Sequence, residues 1–566
     1  MLRKSLSCLV LAALAPQAVA QIQAYTLNGA GSGNQFGTSV RNAFDVDGDG
    51  FDDIVVGEPF ANPNGNNSGR ARVYSGKTGA VLFTVSGGHA GDHFGASVAG
   101  VGDLDSDGFA DIAVGAPFED YQGTQDVGAV YFYSGPAGAQ TVHWLGSGND
   151  EELGTVVANV GDVDHDGVPD VAFGSPHASL GVHHGGLLDV VSGATQFPLY
   201  GFSSNWTDGE LGWSAASAGD VDHDQHDDIV CGAPFAGNSN EGIVYVFSGA
   251  TGATLYTKTG QSANSEFGFA VSGARDIDND GWADFVVGAP LESASGTGAG
   301  RVRAFSGHTG ALMWTNDGTP GFHLGYSVSA IADVDGDGFA DYIAGSPFGD
   351  HNGTQGTGVV RVFSGQSGNV YHSFFGDHAG DHMGWSVSRG GDLNNDGTSD
   401  VIAGAPGAAP NGADSGLARV WFMGCPSPST YCTAKTNSVG CVPQIDHSGV
   451  PTRVTGADDF TITASNVLSG KNGLLFWGRT ALSNPFHGGI LCVGPPTVRT
   501  PIQDSGCAIC AACQGTYTFA FSHSYMAAHS VQSGDTIYAQ FWSRDPGFAP
   551  PKNYGLTDAL EFTVCK

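Results

Sequence analysis

Residues 45–53 read Asp-Val-Asp-Gly-Asp-Gly-Phe-Asp-Asp and run straight into Ile54-Val55-Val56-Gly57. Alternate side chains in so tight a loop converge on one point. An apolar run then starts with no room for a helix turn. The same phrase returns with its first Asp at 45, 103, 162, 220, 276, 333 and 392, at spacings of 58, 59, 58, 56, 57 and 59 residues. A near-constant period of this size signals one repeat architecture and not seven separate sites.

Each period carries a hydrophobic-Gly pair, the acidic loop, an apolar run and Gly-x-Pro, with four strands. In the second they are expected at Phe94 to Ala99, Ile112 to Gly115, Val127 to Ser134 and Gln140 to Leu145. Four strands per unit is a propeller blade. The seventh unit stops at its third strand, Leu417 to Met423, while a spare strand, Gln23 to Leu27, precedes the first unit. The spare strand can complete the last blade and cover a bare sheet edge, so the ring closes. The fold expected is all-β: a seven-bladed β-propeller followed by a small disulfide-rich, sandwich-like β domain.

The loops read D-x-[DN]-x-D-G-x-x-D. Position 1 is Asp45, Asp103, Asp162, Asp220, Asp276, Asp333 or Asp392. Position 3 is Asp47, Asp105, Asp164, Asp222, Asp278, Asp335 or Asn394. Position 5 is Asp49, Asp107, Asp166, Asp224, Asp280, Asp337 or Asp396. Position 7, expected to offer its carbonyl, is Phe51, Phe109, Val168, His226, Trp282, Phe339 or Thr398. Position 9 is Asp53, Asp111, Asp170, Asp228, Asp284, Asp341 or Asp400. Four carboxylates and a carbonyl are hard oxygen ligands and suit Ca²⁺ better than a transition metal. The expectation is up to seven Ca²⁺, one per blade. An EF-hand is excluded because position 12 is apolar in every copy and no helix follows. Solvated Asp-Gly turns without metal would leave carboxylates repelling one another. The fourth loop has Gln225 where the others have Gly and is expected to be weak or distorted.

The 566 residues hold 21 Lys plus Arg against 56 Asp plus Glu, a formal charge of −35. Such a surface repels nucleic acid and anionic lipid. Nearly half of the acidic residues sit in the seven loops. Residues 1–20 read as a signal peptide: Arg3 and Lys4, an apolar Leu6 to Leu14, then Ala18-Val19-Ala20. The apolar stretch is too short for a membrane span. The propeller is expected over 21–424 and the second domain over 425–566. Cys231 stands alone in the propeller. Cys425, Cys432, Cys441, Cys492, Cys507, Cys510, Cys513 and Cys565 crowd the second domain. In an exported chain they are expected to form four disulfides, not a metal cluster. Of the closely spaced Cys507, Cys510 and Cys513, at least one should reach a distant partner such as Cys492 or Cys565.

The pairs Phe36-Gly37, Phe94-Gly95 and Phe267-Gly268 resemble the FG of FG-GAP repeats. Gly115-Ala116-Pro117, Gly232-Ala233-Pro234, Gly288-Ala289-Pro290 and Gly404-Ala405-Pro406 resemble the GAP. The resemblance, to integrin α-subunit propellers, covers about residues 21–424. It implies seven blades, with Ca²⁺ in the loops between strands 1 and 2 on the lower face. Integrin α subunits carry such loops in only some blades; here all seven do. It implies partner contact through the opposite face, built from the 2–3 and 4–1 loops. Residues 425–566 resemble a module attached to secreted bacterial propellers. The function expected is a cell-surface adhesion or ligand-binding module for an extracellular protein or glycan. The alternatives are a glycan lyase or hydrolase using the upper face, or a structural surface component. No GxSxG or HExxH is present, and no catalytic residue is assigned. The 2–3 loops hold Phe60, Phe118, Tyr121, His183, Phe235, Phe348 and His351, which suit either stacking on sugars or packing of the rim.

Overall fold

A computed structural model describes residues 22–335, 337–423, 428–449, 451, 460–506, 513–532 and 535–564. They fall into two compact units, 21–427 and 428–566. The signal-peptide reading lies outside the described residues.

The first unit contains seven four-stranded antiparallel sheets. The second blade is Ser97–Gly102, Asp111–Ala116, Ala129–Ser134 and Ala139–Leu145. Its inner strand begins at Ser97 and not at Phe94, because Phe94-Gly95 makes the turn. Gly95 has φ +89° and donates its N–H to the Gly115 carbonyl at 2.9 Å. Its third strand begins after Gly128, another left-handed residue at φ +76°.

The second strands, such as Asp53–Glu58 and Asp400–Ala405, are buried along their whole length. Both faces of the blade pack there against neighbouring blades, which is why these strands read as continuous apolar runs. Fourth strands such as Thr254–Thr259 lie outermost and mix exposed with half-buried residues. Seven apolar clusters fill the seven seams between adjacent blades. The seam between the last and first blades is made by Phe36, Ile54 and Val56 against Leu27, Leu393, Ile402 and Val420. Ile22–Asn28 pairs antiparallel with Leu417–Phe422, from Ile22 opposite Phe422 to Asn28 opposite Leu417. The spare strand thus closes the ring.

The FG and GAP glycines form one device. In every blade the N–H of the first donates to the carbonyl of the second, as from Gly37 to Gly57 at 3.0 Å and Gly384 to Gly404 at 3.0 Å. A Cβ on Gly57 would collide with the Gly95 carbonyl of the next blade, and one on Gly404 with the Gly37 carbonyl. Blades approach too closely here for any side chain.

In the second unit, Tyr554–Thr563, Thr536–Arg544 and Asn472–Gly478 are the long strands of one sheet. Gln444–Ser448, Thr461–Val467 and Gly515–Ala520 form another. Side chains from both, including Ile462, Tyr517, Trp477, Phe541 and Phe562, share one core, so the sheets face each other as a sandwich. A short helix, His523–Ala528, was not expected; Ser522 caps it by accepting the Tyr525 N–H. Cys432 bonds Cys492 and Cys441 bonds Cys513, with Cα separations of 6.3 and 6.2 Å. One member of the close trio does reach far, but to Cys441. Cys492 is not available to the trio because Cys432 occupies it. Cys425, Cys507, Cys510 and Cys565 lie outside the described residues. Cys231 is free and fully buried.

Candidate functional site

The acidic loops connect the first and second strands of each blade, at one end of the propeller. Within them the four carboxylate positions have different work. Position 9 opens the second strand and is buried in all seven blades. One oxygen accepts the N–H of position 2, as Asp53 does from Val46 at 2.8 Å and Asp284 from Ile277 at 2.7 Å. The other accepts an N–H just after the third strand, from Gly76 to Asp53 at 3.0 Å and from Gly307 to Asp284 at 2.8 Å. Position 9 therefore ties the loop to the third strand. Burial pushes its carboxyl up to about 7 in Asp53, about 6 in Asp111 and about 8 in Asp400, against the pull of those hydrogen bonds.

Position 1 shapes the loop. Its two oxygens accept the N–H groups of positions 5 and 6, in the third loop both at 2.9 Å on Asp162. Position 5 accepts the N–H of position 7, at 2.8–3.1 Å around the ring. Positions 1, 3 and 9 converge. In the triads Asp45–Asp47–Asp53, Asp103–Asp105–Asp111, Asp162–Asp164–Asp170 and Asp220–Asp222–Asp228, one oxygen from each residue lies within 4.8 Å of the others. Position 5 stands outside these triads.

The donor set fits a calcium ion. Oxygens 2.3–2.6 Å from a shared ion are separated by no more than about 5 Å. Asp164 Oδ1 is buried and has no hydrogen-bond partner, an orphaned acceptor where a cation belongs. The fourth loop departs from expectation. Gln225 takes φ +75°, close to its glycine counterparts, and donates to Asp220 Oδ2 at 3.0 Å. The loop is strained but not distorted. In the seventh loop Asn394 keeps the turn, with Oδ1 accepting the Asp396 N–H at 3.1 Å.

The opposite end carries a feature that the sequence reading missed. The residue after the hydrophobic-Gly pair is aromatic in four consecutive blades: Trp213, Phe269, Tyr326 and Trp385. Their ring centroids follow one another at 5.5, 4.9 and 4.8 Å, a crescent at the heads of four inner strands. All four are half-buried. The signal was legible, since the first three blades have Thr38, Ala96 and Thr155 in that place.

The aromatics of the 2–3 loops mainly pack. His93 sits between Phe60 and Phe118 with centroids at 4.8 and 4.9 Å, and Phe348 between His323 and His382 at 4.9 and 5.2 Å. The third blade replaces that Phe with His177, whose nitrogens lie 3.0 Å from Glu152 and 3.6 Å from Glu210. Hydrogen bonds to the two carboxylates push the His177 imidazole up to about 10. The string His-Ala-Gly-Asp-His occurs at 89–93 and again at 378–382; each is a loop capped by its Asp, which accepts the His89 N–H at 2.7 Å and the His378 N–H at 2.9 Å. Tyr121 is exposed, and His351 stacks on Phe375 at 3.7 Å.

The FG-GAP repeat family profile matches residues 36–74, 94–133, 211–247, 267–305, 324–363 and 383–421. The third blade is unmarked yet builds the same sheet, Val156–Gly161 to Pro198–Ser203. The first unit is an FG-GAP repeat β-propeller. It is 32% identical over 223 residues to integrin alpha-5 of Xenopus laevis, covering 36% of this chain and 21% of that protein. It is 28% identical over 260 residues to integrin alpha-PS2 of Drosophila melanogaster, covering 43% and 14%. With integrin alpha pat-2 of Caenorhabditis elegans the figures are 31% over 257 residues, 43% and 17%. The aligned stretches span about a fifth or less of these relatives.

Proposed function

We propose that this is an exported, calcium-loaded propeller that binds an extracellular protein or glycan through its upper face. Residues 1–20 serve as the signal peptide, 21–424 as the binding propeller and 425–566 as a disulfide-bonded companion domain. The crescent of Trp213, Phe269, Tyr326 and Trp385 carries the reading. Four contiguous, half-buried rings offer a large apolar area with little side-chain entropy to lose, the composition of a binding surface. Calcium in the loops at the other end holds the blades in register, so that the crescent is rigid before a ligand arrives. Among the described residues no helix is long and apolar enough to cross a membrane.

The test is binding of the purified, calcium-loaded chain to a glycan array and to a panel of extracellular matrix proteins. Saturable binding to at least one ligand is expected, weakened tenfold or more in Tyr326→Ala and Trp385→Ala and lost on chelation. Binding that survives both substitutions would move the site away from the crescent. Turnover of any arrayed glycan would favour the lyase or hydrolase reading.

A further inference from the structure

The seven inner strands enclose a central cavity of about 410 Å³, within the size range of small-molecule sites. Its wall is mostly Gly, Ala and Ser, which leaves the space open. Three arginines break the pattern: Arg41 of the first blade, Arg275 of the fifth and Arg389 of the seventh. The chain has only 21 Lys plus Arg and a charge of −35, so three guanidiniums on one small cavity give it a charge opposite in sign to that of the molecule. A single carboxylate, Asp227, lines the same wall, and its Oδ2 accepts the Asp162 N–H at 2.9 Å. Asp52, near Arg389, accepts from Asn42 Nδ2 at 3.1 Å and from the Asp392 N–H at 3.2 Å.

Among the described residues, none of the three arginines has a carboxylate within ion-pair distance, unlike Arg70, Arg72, Arg301, Arg303 and Arg419 on the blade flanks. Arg41 donates only to the Val40 carbonyl at 2.8 Å and Ser386 Oγ at 3.3 Å. Arg41 and Arg389 are half-buried, whereas Arg275 is exposed at the strand end; partly buried charges without partners are costly, and proteins seldom retain them without a counter-charge.

A second observation is independent of charge. Arg275 sits at the bulge that ends the inner strand, with φ +52°. Gly102, Gly161, Gly219 and Gly391 fill that place in four other blades and Phe44 fills it in the first, all with positive φ. A left-handed conformation strains an Arg backbone, and such strain gathers at functional positions.

We propose that the channel is an anion site in which Arg275 and Arg389, with Arg41 nearer the upper end, hold one small oxyanion group. The ligand class is a carboxylate or sulfate, free or carried on an acidic sugar. Guanidinium forks match both groups with paired N–H donors. Burial lowers the basicity of Arg41 and Arg389, and Arg275 adds to that effect at Arg389; a bound anion opposes it. The site lies below the crescent and does not depend on what the crescent binds.

Equilibrium dialysis of the full, calcium-loaded chain tests this, with radiolabelled sulfate in one arm and glucuronate in the other, chloride keeping ionic strength constant. About one equivalent should bind saturably in at least one arm. Tighter sulfate marks a free inorganic anion as occupant, and tighter glucuronate an acidic sugar. Arg389→Gln and Arg275→Gly should each weaken binding tenfold or more. Arg275→Gly restores the residue four other blades use, so it should melt no lower than the parent and loss of binding cannot be ascribed to misfolding. No saturable binding in either arm, or unchanged binding in both variants, overturns the proposal.

Discussion

Gln225 donates its backbone N–H to Asp220 Oδ2 at 3.0 Å from a left-handed conformation, φ +75°. The hydrogen bond is the one glycine makes in the other loops, so the fourth blade reaches the common geometry with a residue poorly suited to it. Gln225→Gly should therefore raise stability by about 0.5–1 kcal/mol, the usual cost of a side chain in this region. Urea unfolding at saturating calcium measures it. A loss of stability would mean that the Gln side chain contributes something that its backbone angle conceals.

Positions 5 and 9 of a loop look alike in sequence and differ in structure. Asp284 holds two backbone N–H groups, from Ile277 and Gly307, and is buried. Asp280 holds the Trp282 N–H at a more open site. Asp284→Ala should cost about 2–5 kcal/mol, since a buried donor left unpaired costs about 1–3 kcal/mol. Asp280→Ala should cost at most about 1.5 kcal/mol, the worth of one ordinary hydrogen bond. Paired denaturation curves in chelator, where metal does not contribute, distinguish them. Equal losses would remove the division of labour.

Seven blades were legible because the repeat is in phase and each glycine pair marks a contact no other residue fits. Ring closure was legible because one strand was missing at one end and spare at the other. The role of Asp53 was not, because its second hydrogen bond comes from Gly76, 23 residues on, and only the folded blade brings the two together. Trp213 and Trp385 carry no signal within a single repeat, because the crescent arises from one position per blade, read across four blades. Cys513 illustrates the remaining limit: parity predicts that it pairs, but the sandwich decides that Cys441 is its partner.

Calcium bound only to the folded propeller stabilises it by mass action. Chelation should lower the melting midpoint, and restoring excess calcium should recover it. Asp164→Ala, which takes one oxygen out of a converging triad, should remove about one equivalent of bound calcium in a titration and leave the others. An unchanged melting curve in excess chelator would exclude calcium as a structural element.

His177 should make stability depend on pH in the alkaline range. Its folded imidazole is raised to about 10 by Glu152 and Glu210, above the ordinary value of about 6.5. A raised basic group contributes stability fully below its unfolded pKa and loses it as pH climbs through the folded one. Stability should therefore decline between about pH 6.5 and 10, by a modest amount because the cluster is partly open to solvent. His177→Phe, the residue used by four other blades at this position, should abolish that component. Unfolding midpoints at several pH values check this, and the imidazole resonance of His177 should show a charged ring at pH 8. A neutral ring at pH 8 would refute the assignment.

Cys231 should be the one thiol that labels, and only after unfolding. It is wholly buried in the seam between the third and fourth blades, among Val160, Leu188 and Ile229. Burial pushes its thiol up to about 12, which leaves almost no thiolate at neutral pH. Its six counterparts are Val, Phe or Ala, so packing suffices to explain it. Cys432, Cys492, Cys441 and Cys513 are already paired. The remaining four should pair as well if export places the chain in an oxidising compartment. Iodoacetamide applied to the native protein should leave it unmodified. The same reagent in denaturant without reductant should add about one group, with the mass shift on the Cys231 peptide. Several modified cysteines would mean that the second unit is not fully oxidised, and labelling of the native chain would mean that the blade seam opens.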